Sequence, residues 1–231
     1  LLRFSLPARV YSRLKRQGVG RDIPDFALDR AAGPSAALVF VRKSGQPLTK
    51  GIAGLYTHDG YYKGFDREVG RVTQQLAGEE TWVLGSAAGT PPDAARLIED
   101  VRRLYLADYI AVWDEYLRDV TLIRSASLQQ SIQQARTLSA PDSPLPRFLK
   151  AVARETSLSR KPEDKTVVDA AKEKISGARQ ELGKILGFDP VASVRGPQGP
   201  SQESMVDEHF APIRNLVDSS DGKSAPIDGV M

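Results

Sequence analysis

The sequence predicts an α+β fold that is predominantly helical, a small mixed α/β unit followed by a helical bundle. Three observations predict it. From Tyr61 onward apolar residues recur mostly at helical spacing. Short apolar runs with β-branched residues, "SAALVFV" and "LTKGIAGLYT", lie close together in the first third. Two Gly-Pro pairs concentrate in one late stretch, "DPVASVRGPQGPSQES". Residues 1–90 are therefore expected to form a small α+β unit with a short antiparallel sheet. Residues 91–231 are expected to form a helical unit with a flexible loop near 189–204.

The elements follow in chain order. "LPARVYSRLKRQG" places Pro7 in a first helical turn and Gly18 where a helix stops. "SAALVFV", the turn "KSGQP" and "LTKGIAGLYT" read as a hairpin, with Gly51 and Gly54 marking a bulge or close backbone packing. Thr57 is a helix cap and Asp59 falls in the first turn, where negative charge suits the helix dipole. Tyr61, Phe65, Val69, Val72 and Leu76 then mark one helical face. "EETWVLG" reads as a short strand or extended segment burying Trp82 and Leu84.

The strongest periodicity runs through "GTPPDAARLIEDVRRLYLADYIAVWDEYLRDV". It starts with Thr90 as cap and prolines in the first turn. Leu97, Val101, Leu104, Tyr105, Val112, Trp113, Tyr116 and Val120 form a wide apolar stripe on a helix near residues 93–120. Asp108 falls near that stripe, where a carboxylate needs a hydrogen bond or a charge partner such as a Tyr hydroxyl or an Arg from another helix. "SLQQSIQQARTL" is a further helix with Ser127 and Gln130 as a capping box. The next restarts after Pro141, with Ser143 as cap and Pro144 at the first position. "DKTVVDAAKEKISGARQELGKILG" is amphipathic and stops at Gly187, and "MVDEHFAPIRNLV" is a short helix or a pair interrupted at Pro212.

Composition narrows the chemistry. The 231 residues are 41% hydrophobic and 26% charged with a net charge of +3, which is enough apolar material for a core and a weak electrostatic bias. Both signs are interspersed, so no nucleic-acid footprint is expected. With no cysteine, disulfides, thiolate metal sites and Cys nucleophiles are excluded. No apolar run approaches the ~20 residues of a membrane span. The chain begins "LLRFSLPARV" without Met, and we expect it to be a piece of a longer protein.

His58 and Asp59 in "GIAGLYTHDGYYKGF" resemble acid/base machinery, but the cap and periodicity around them read as a helix entrance. A general base needs a partner and a pocket, and the other histidine, His209, is distant in sequence. There is no phosphate loop, dinucleotide fingerprint, H-E-x-x-H or G-x-S-x-G. Carboxylates are plentiful, yet none is singled out as a pair for glycoside chemistry. No catalytic, cofactor-binding or metal-ligating residue is therefore expected, nor a small-molecule substrate.

Four stretches in order, "SGQPLTKGIAGLYTHDGYYKGF", "EETWVLG", "LYLADYIAVWDEYLRDVTL" and "LSAPDSPLPRFLKAVARET", resemble the periplasmic region of the IcmF/TssM family. That family is an inner-membrane component of the bacterial type VI secretion system. The likeness runs over roughly residues 35–158. It implies a periplasmic segment of a protein anchored in the inner membrane. It also implies assembly with a TssJ-like outer-membrane lipoprotein, a TssL-like inner-membrane protein and further copies of itself. The role so implied is a non-catalytic scaffold. The readings from other classes are a cell-envelope hydrolase using a carboxylate pair and a helical adaptor that binds peptides.

Overall fold

A computed structural model describes residues 5–84, 93–162 and 201–218. The chain divides into two compact units, Leu1–Ser159 with Gln202–Met231, and Arg160–Ser201. Nearly all described residues belong to the first. The expected division near residue 90 is not where the chain separates. A single hydrophobic core joins Val10 and Leu14, Phe65 and Val72, Val101 and Trp113, and Phe148 and Val206. The helical stripes on either side of residue 90 are each other's burial partners.

Helix α1, Leu6–Arg16, has proline in its first turn as expected, and Arg13, Lys15 and Arg16 in its last. The basic last turn complements the carbonyl end of the helix dipole. It buries Val10, Tyr11 and Leu14. Two short helices, α2 (Leu28–Ala32) and α3 (Ala36–Val39), follow and lead into β1, Phe40–Arg42.

The expected hairpin does not form. "SAAL" is taken up by the α3 region, and β1 pairs antiparallel with β2, Val120–Leu122, in the register Phe40↔Leu122, Val41↔Thr121 and Arg42↔Val120. Asp119 determines this choice. It accepts from Arg42 Nε at 2.5 Å, from the Ser44 N–H at 2.7 Å and from Ser44 Oγ at 2.7 Å, so the "KSGQP" turn is fastened to a distant helix end. Ile52 bridges to Phe26 instead. The short antiparallel sheet is present, with a different second strand.

Gly51 and Gly54 do mark close backbone packing. A Cβ at Gly51 would lie 1.5 Å from the Phe26 carbonyl oxygen, and one at Gly54 would lie 2.0 Å from that of Ile23. Thr57 caps the next helix, its Oγ accepting from the Gly60 N–H at 3.0 Å. The first turns, Gly60–Phe65, are wound as π-helix, and α4, Asp66–Leu84, continues from them. The expected face is buried at Tyr61, Phe65, Val69, Val72 and Leu76. "ETWVL" is helical rather than extended, because no proline interrupts the chain between Pro47 and Pro91 and the helix runs on through Gly70 and Gly78. The side chains of Trp82 and Leu84 lie outside the described residues.

The spine is α5, Ala94–Asp119, 26 residues and so ~39 Å long. Its cap is Asp93, which accepts from the Ala95 N–H at 3.0 Å. The expected Thr90 cap and its prolines fall outside the described residues. The buried stripe is Leu97, Val101, Tyr105, Leu106, Tyr109, Trp113 and Tyr116. Leu104 is rotated to the surface, a correction to the expected stripe, and Leu106 and Tyr109 belong to it instead. Aromatic rings knit the spine to its neighbours. Phe65 stacks on Tyr105 at 4.0 Å between centroids, and Trp113 meets Phe26 at 4.8 Å. Offset and edge contacts of this kind add to area burial.

Helix α6, Leu128–Leu138, is capped by Ser127, whose Oγ accepts from the Gln130 N–H at 3.2 Å. The Gln130 side chain reaches back to the Ala126 N–H at 2.8 Å, one residue beyond a strict capping box. Helix α7, Pro144–Glu155, begins after Ser143 as expected, but that hydroxyl makes no cap bond. The amphipathic stretch ending at Gly187 lies outside the described residues, as does most of the expected 189–204 loop. Ser204 instead starts α8, Ser204–His209, and α9, Ala211–Val217, follows with Pro212 in its first turn.

Candidate functional site

His58 and Asp59 sit at the helix entrance. The His58 ring packs on Tyr62 with centroids 5.0 Å apart, and Asp59 pairs with Lys63 one turn later at 2.8 Å. The partner that sequence reasoning missed is Glu155. It is 7% exposed, and its Oε2 accepts from the His58 backbone N–H at 2.9 Å while Oε1 accepts from Arg154 Nη2 at 2.7 Å. A buried carboxylate thus terminates the helix from outside, where the dipole favours it. No local signal could have found it, because the two residues are far apart in sequence. His209 engages Asp114 on α5, with Nε2 to Oδ1 at 2.9 Å, and packs against Phe210. The two histidines therefore serve different contacts.

Asp108 lies at the edge of the core, as its spacing predicted, and the Tyr hydroxyl expected there is present. Its Oδ2 accepts from the Tyr11 hydroxyl at 2.8 Å and from Lys15 Nζ at 3.1 Å, with the Tyr56 hydroxyl at 3.4 Å. The charge partner is a Lys on α1 rather than an Arg. The Tyr11 and Tyr56 hydroxyls also meet at 3.0 Å. Burial, reinforced by the Tyr56 hydrogen bond, pushes the Tyr11 phenol far above the usual range, so it stays neutral.

A second knot joins Tyr61 to Glu203, and Arg102 to Asp66 at 2.6 Å. Burial first, then Glu203, holds the Tyr61 phenol well above its ordinary value. Burial pushes Tyr62 up to about 12, and its hydroxyl donates to the Leu158 carbonyl. Tyr105 and Tyr109 are likewise raised well above the usual range by burial, and donate to the Leu55 and Glu155 carbonyls at 2.6 and 2.8 Å. These phenols fasten loops to the spine and hold their protons at neutral pH. They are poor acids for proton transfer there.

Among the described residues no group of three or more His, Cys, Asp or Glu could hold a metal ion. Among the described residues no helix is long and apolar enough to cross a membrane. The surface shows two distinctive faces. Helix α6 buries none of its residues and exposes Leu128 and Ile132. The outer face of α1 is basic, and a concavity of about 450 Å³ runs along it.

The family model described as IcmF-related, intracellular multiplication and human macrophage-killing, matches residues 1–157. The chain belongs to the IcmF-related family. It is 38% identical over 234 residues to the type VI secretion system component TssM1 of Pseudomonas aeruginosa. That match spans 96% of this chain and 20% of the relative, so the chain corresponds to about one fifth of the curated protein it matches. A solved structure, a type VI secretion system membrane core complex, shares the fold with a TM-score of 0.53 and 15% identity. It covers 91% of this chain and 44% of the chain compared. The resemblance read from the four ordered stretches is thus upheld at the level of the family.

Proposed function

We propose that this chain is a non-catalytic scaffold segment of a type VI secretion membrane complex, spanning the periplasm and contacting neighbouring subunits. Its neighbours on this reading are a TssJ-like outer-membrane lipoprotein, a TssL-like inner-membrane protein and further copies of the same protein. The observation that carries the reading is how its polar interior is used. Glu155 completes a helix, Asp108 ties α1 to α5, and the buried phenols fasten loops to the spine. These groups hold elements together, and a spacer needs rigid packed helices rather than reactive groups. The similarity to TssM1 supplies the context.

The test uses the full-length protein in a secreting strain. His58→Gln, Asp59→Asn and His209→Gln are combined, and secretion is read beside complex assembly. Both stay near normal on this account. Abolished secretion with unchanged protein level and unchanged assembly would reopen catalysis at the helix entrance.

A further inference from the structure

Helix α6 is fastened to the surface by its polar side. Gln134 holds it there, its Nε2 donating to the Ile123 carbonyl at 2.8 Å and its Oε1 accepting from Ser125 Oγ at 2.8 Å. The Ile123 N–H in turn donates to the Val39 carbonyl at 2.8 Å, so α6, the end of β2 and α3 adjoin one another. The opposite side of α6 carries Leu128, Ile132 and Ala135 at helical spacing, all of them exposed. Leu128 is 79% and Ile132 46% exposed. Leu38 on α3 and Leu122 on β2 are exposed as well, so half of the eight large hydrophobic residues exposed among the described ones gather on these adjoining elements. An 11-residue helix is marginal in water by itself, because its propensity does not offset its nucleation. Apolar side chains gathered on a helix that buries none of its own residues mark a face for another surface.

We propose that the outer face of α6 is a contact between two copies of this protein, packed antiparallel about a two-fold axis near Ile132. The charge pattern chooses the occupant. The chain is 26% charged, yet residues 31–41, 120–123 and 125–135 contain no charged side chain. A face that meets a different protein gains steering and specificity from opposite charge. A face that meets its own copy gains nothing from charge of one sign, because that charge then sits on both sides of the interface. Neutral groups that are their own complement suit it instead. The exposed Gln129 and Gln133 carry such groups, each amide both donating and accepting. Arg136, the one charged residue of α6, sets the direction. A parallel pair would bring the two Arg136 side chains together. In an antiparallel pair centred on Ile132 they lie about 12 Å apart along the axis, beyond the ~8 Å screening length at physiological salt. Helix α6 is ~16 Å long, too short to bury by itself the roughly 800 Å² per partner of a stable complex. The pairing is therefore weak in solution and is filled where copies are held side by side. The inference rests on the scaffold reading for the presence of further copies, and gives their contact a surface.

The experiment uses the full-length protein in a secreting strain that makes two forms of it with different affinity tags. A benzoylphenylalanine photocrosslinker replaces Ser131, next to Ile132 on the exposed side of α6. Illumination is expected to join the two tagged forms, with residues 125–136 of both copies in the linked peptides. Ile132→Lys in both forms, or Ile132→Glu in both, lowers that yield about tenfold or more, because like charges meet at the axis. Ile132→Lys in one form with Ile132→Glu in the other restores it, an outcome that a foreign partner would not give. The melting temperature of the purified 231-residue chain checks the fold, and Ile132→Ala, which lowers the yield less, serves if a charge there unfolds it. Any of five results would overturn the inference: crosslinks to another protein, crosslinks within one chain alone, no crosslink, a copy-to-copy yield indifferent to residue 132, or a yield that the mixed pair does not restore. The scaffold reading fails on a different result, secretion lost while assembly persists, so either can fail alone.

Discussion

Trp113→Ala is the perturbation whose outcome follows most directly from the packing. Trp113 is 0% exposed at the middle of the core. Its ring contacts Phe26, Tyr109 and Tyr116, with centroids at 4.8, 6.4 and 6.4 Å. Its Nε1–H donates to the Tyr56 carbonyl at 2.9 Å, which holds the turn before the π-wound helix. Truncating a buried Trp costs about 3–5 kcal/mol. Leaving a buried carbonyl without its donor adds about 1–3 kcal/mol unless water reaches it. A total near 5 kcal/mol, at about 2–4 °C per kcal/mol for a domain of this size, lowers the melting temperature by roughly 10–20 °C. Trp113→Phe keeps most of the ring contact and loses only the donor, so it falls by a smaller amount. Thermal denaturation followed by circular dichroism reads both. An unchanged melting temperature in Trp113→Ala would refute the core described here. Equal losses in the two variants would mean that ring packing contributes nothing.

Gly60→Ala places a Cβ 2.0 Å from the Gly54 carbonyl oxygen, a backbone atom with little room to move, and is expected to abolish or severely reduce soluble folded protein. Gly70→Ala meets no atom within 4 Å on the same helix and is expected to be neutral or stabilising by up to about 1 kcal/mol, read by melting temperature. Asp119 is held down to about 2 by the Ser44 hydroxyl and then Arg42, against an ordinary 3.8. A depressed carboxylate contributes stability above its unfolded value and loses it as pH falls toward the folded one. The stability gap between the native chain and Asp119→Asn, measured by urea denaturation, should therefore close between about pH 4 and pH 2. A gap that stays constant over that range contradicts the latch. In sedimentation the isolated chain is expected to be monomeric or weakly self-associating, because tethering in a membrane supplies the effective concentration that weak contacts need.

What the sequence disclosed was local. The start of α1, the Thr57 cap, the face from Tyr61 to Leu76 and the Ser127 cap are all written within a few residues, and each is present. What it concealed was long-range. The apolar run before "KSGQP" was expected to pair with the run after it, and Asp119, far along the chain, holds it beside β2 instead. Glu155 closes the helix at His58 across a similar gap. The breadth of the α5 stripe also hid its rotation, which turns Leu104 outward and Leu106 and Tyr109 inward. Asp108 was legible as a carboxylate needing partners, because helical spacing fixes which face it occupies, though not that its cation is Lys15. The family was legible in the order of four stretches. The open face of α6 was not, because periodicity identifies an apolar stripe without saying whether the fold covers it.

The scaffold account makes one demand above all: secretion must depend on this region only through assembly. The direct measurement introduces Trp113→Phe, Trp113→Ala and Gly60→Ala into the full-length protein. In each strain it quantifies both the membrane complex recovered by co-purification and the secreted cargo. The account predicts that the two fall together in graded order as the fold weakens. A variant that assembles at the native level yet secretes nothing would contradict it, because a segment that only holds neighbours in place cannot fail while they remain in place.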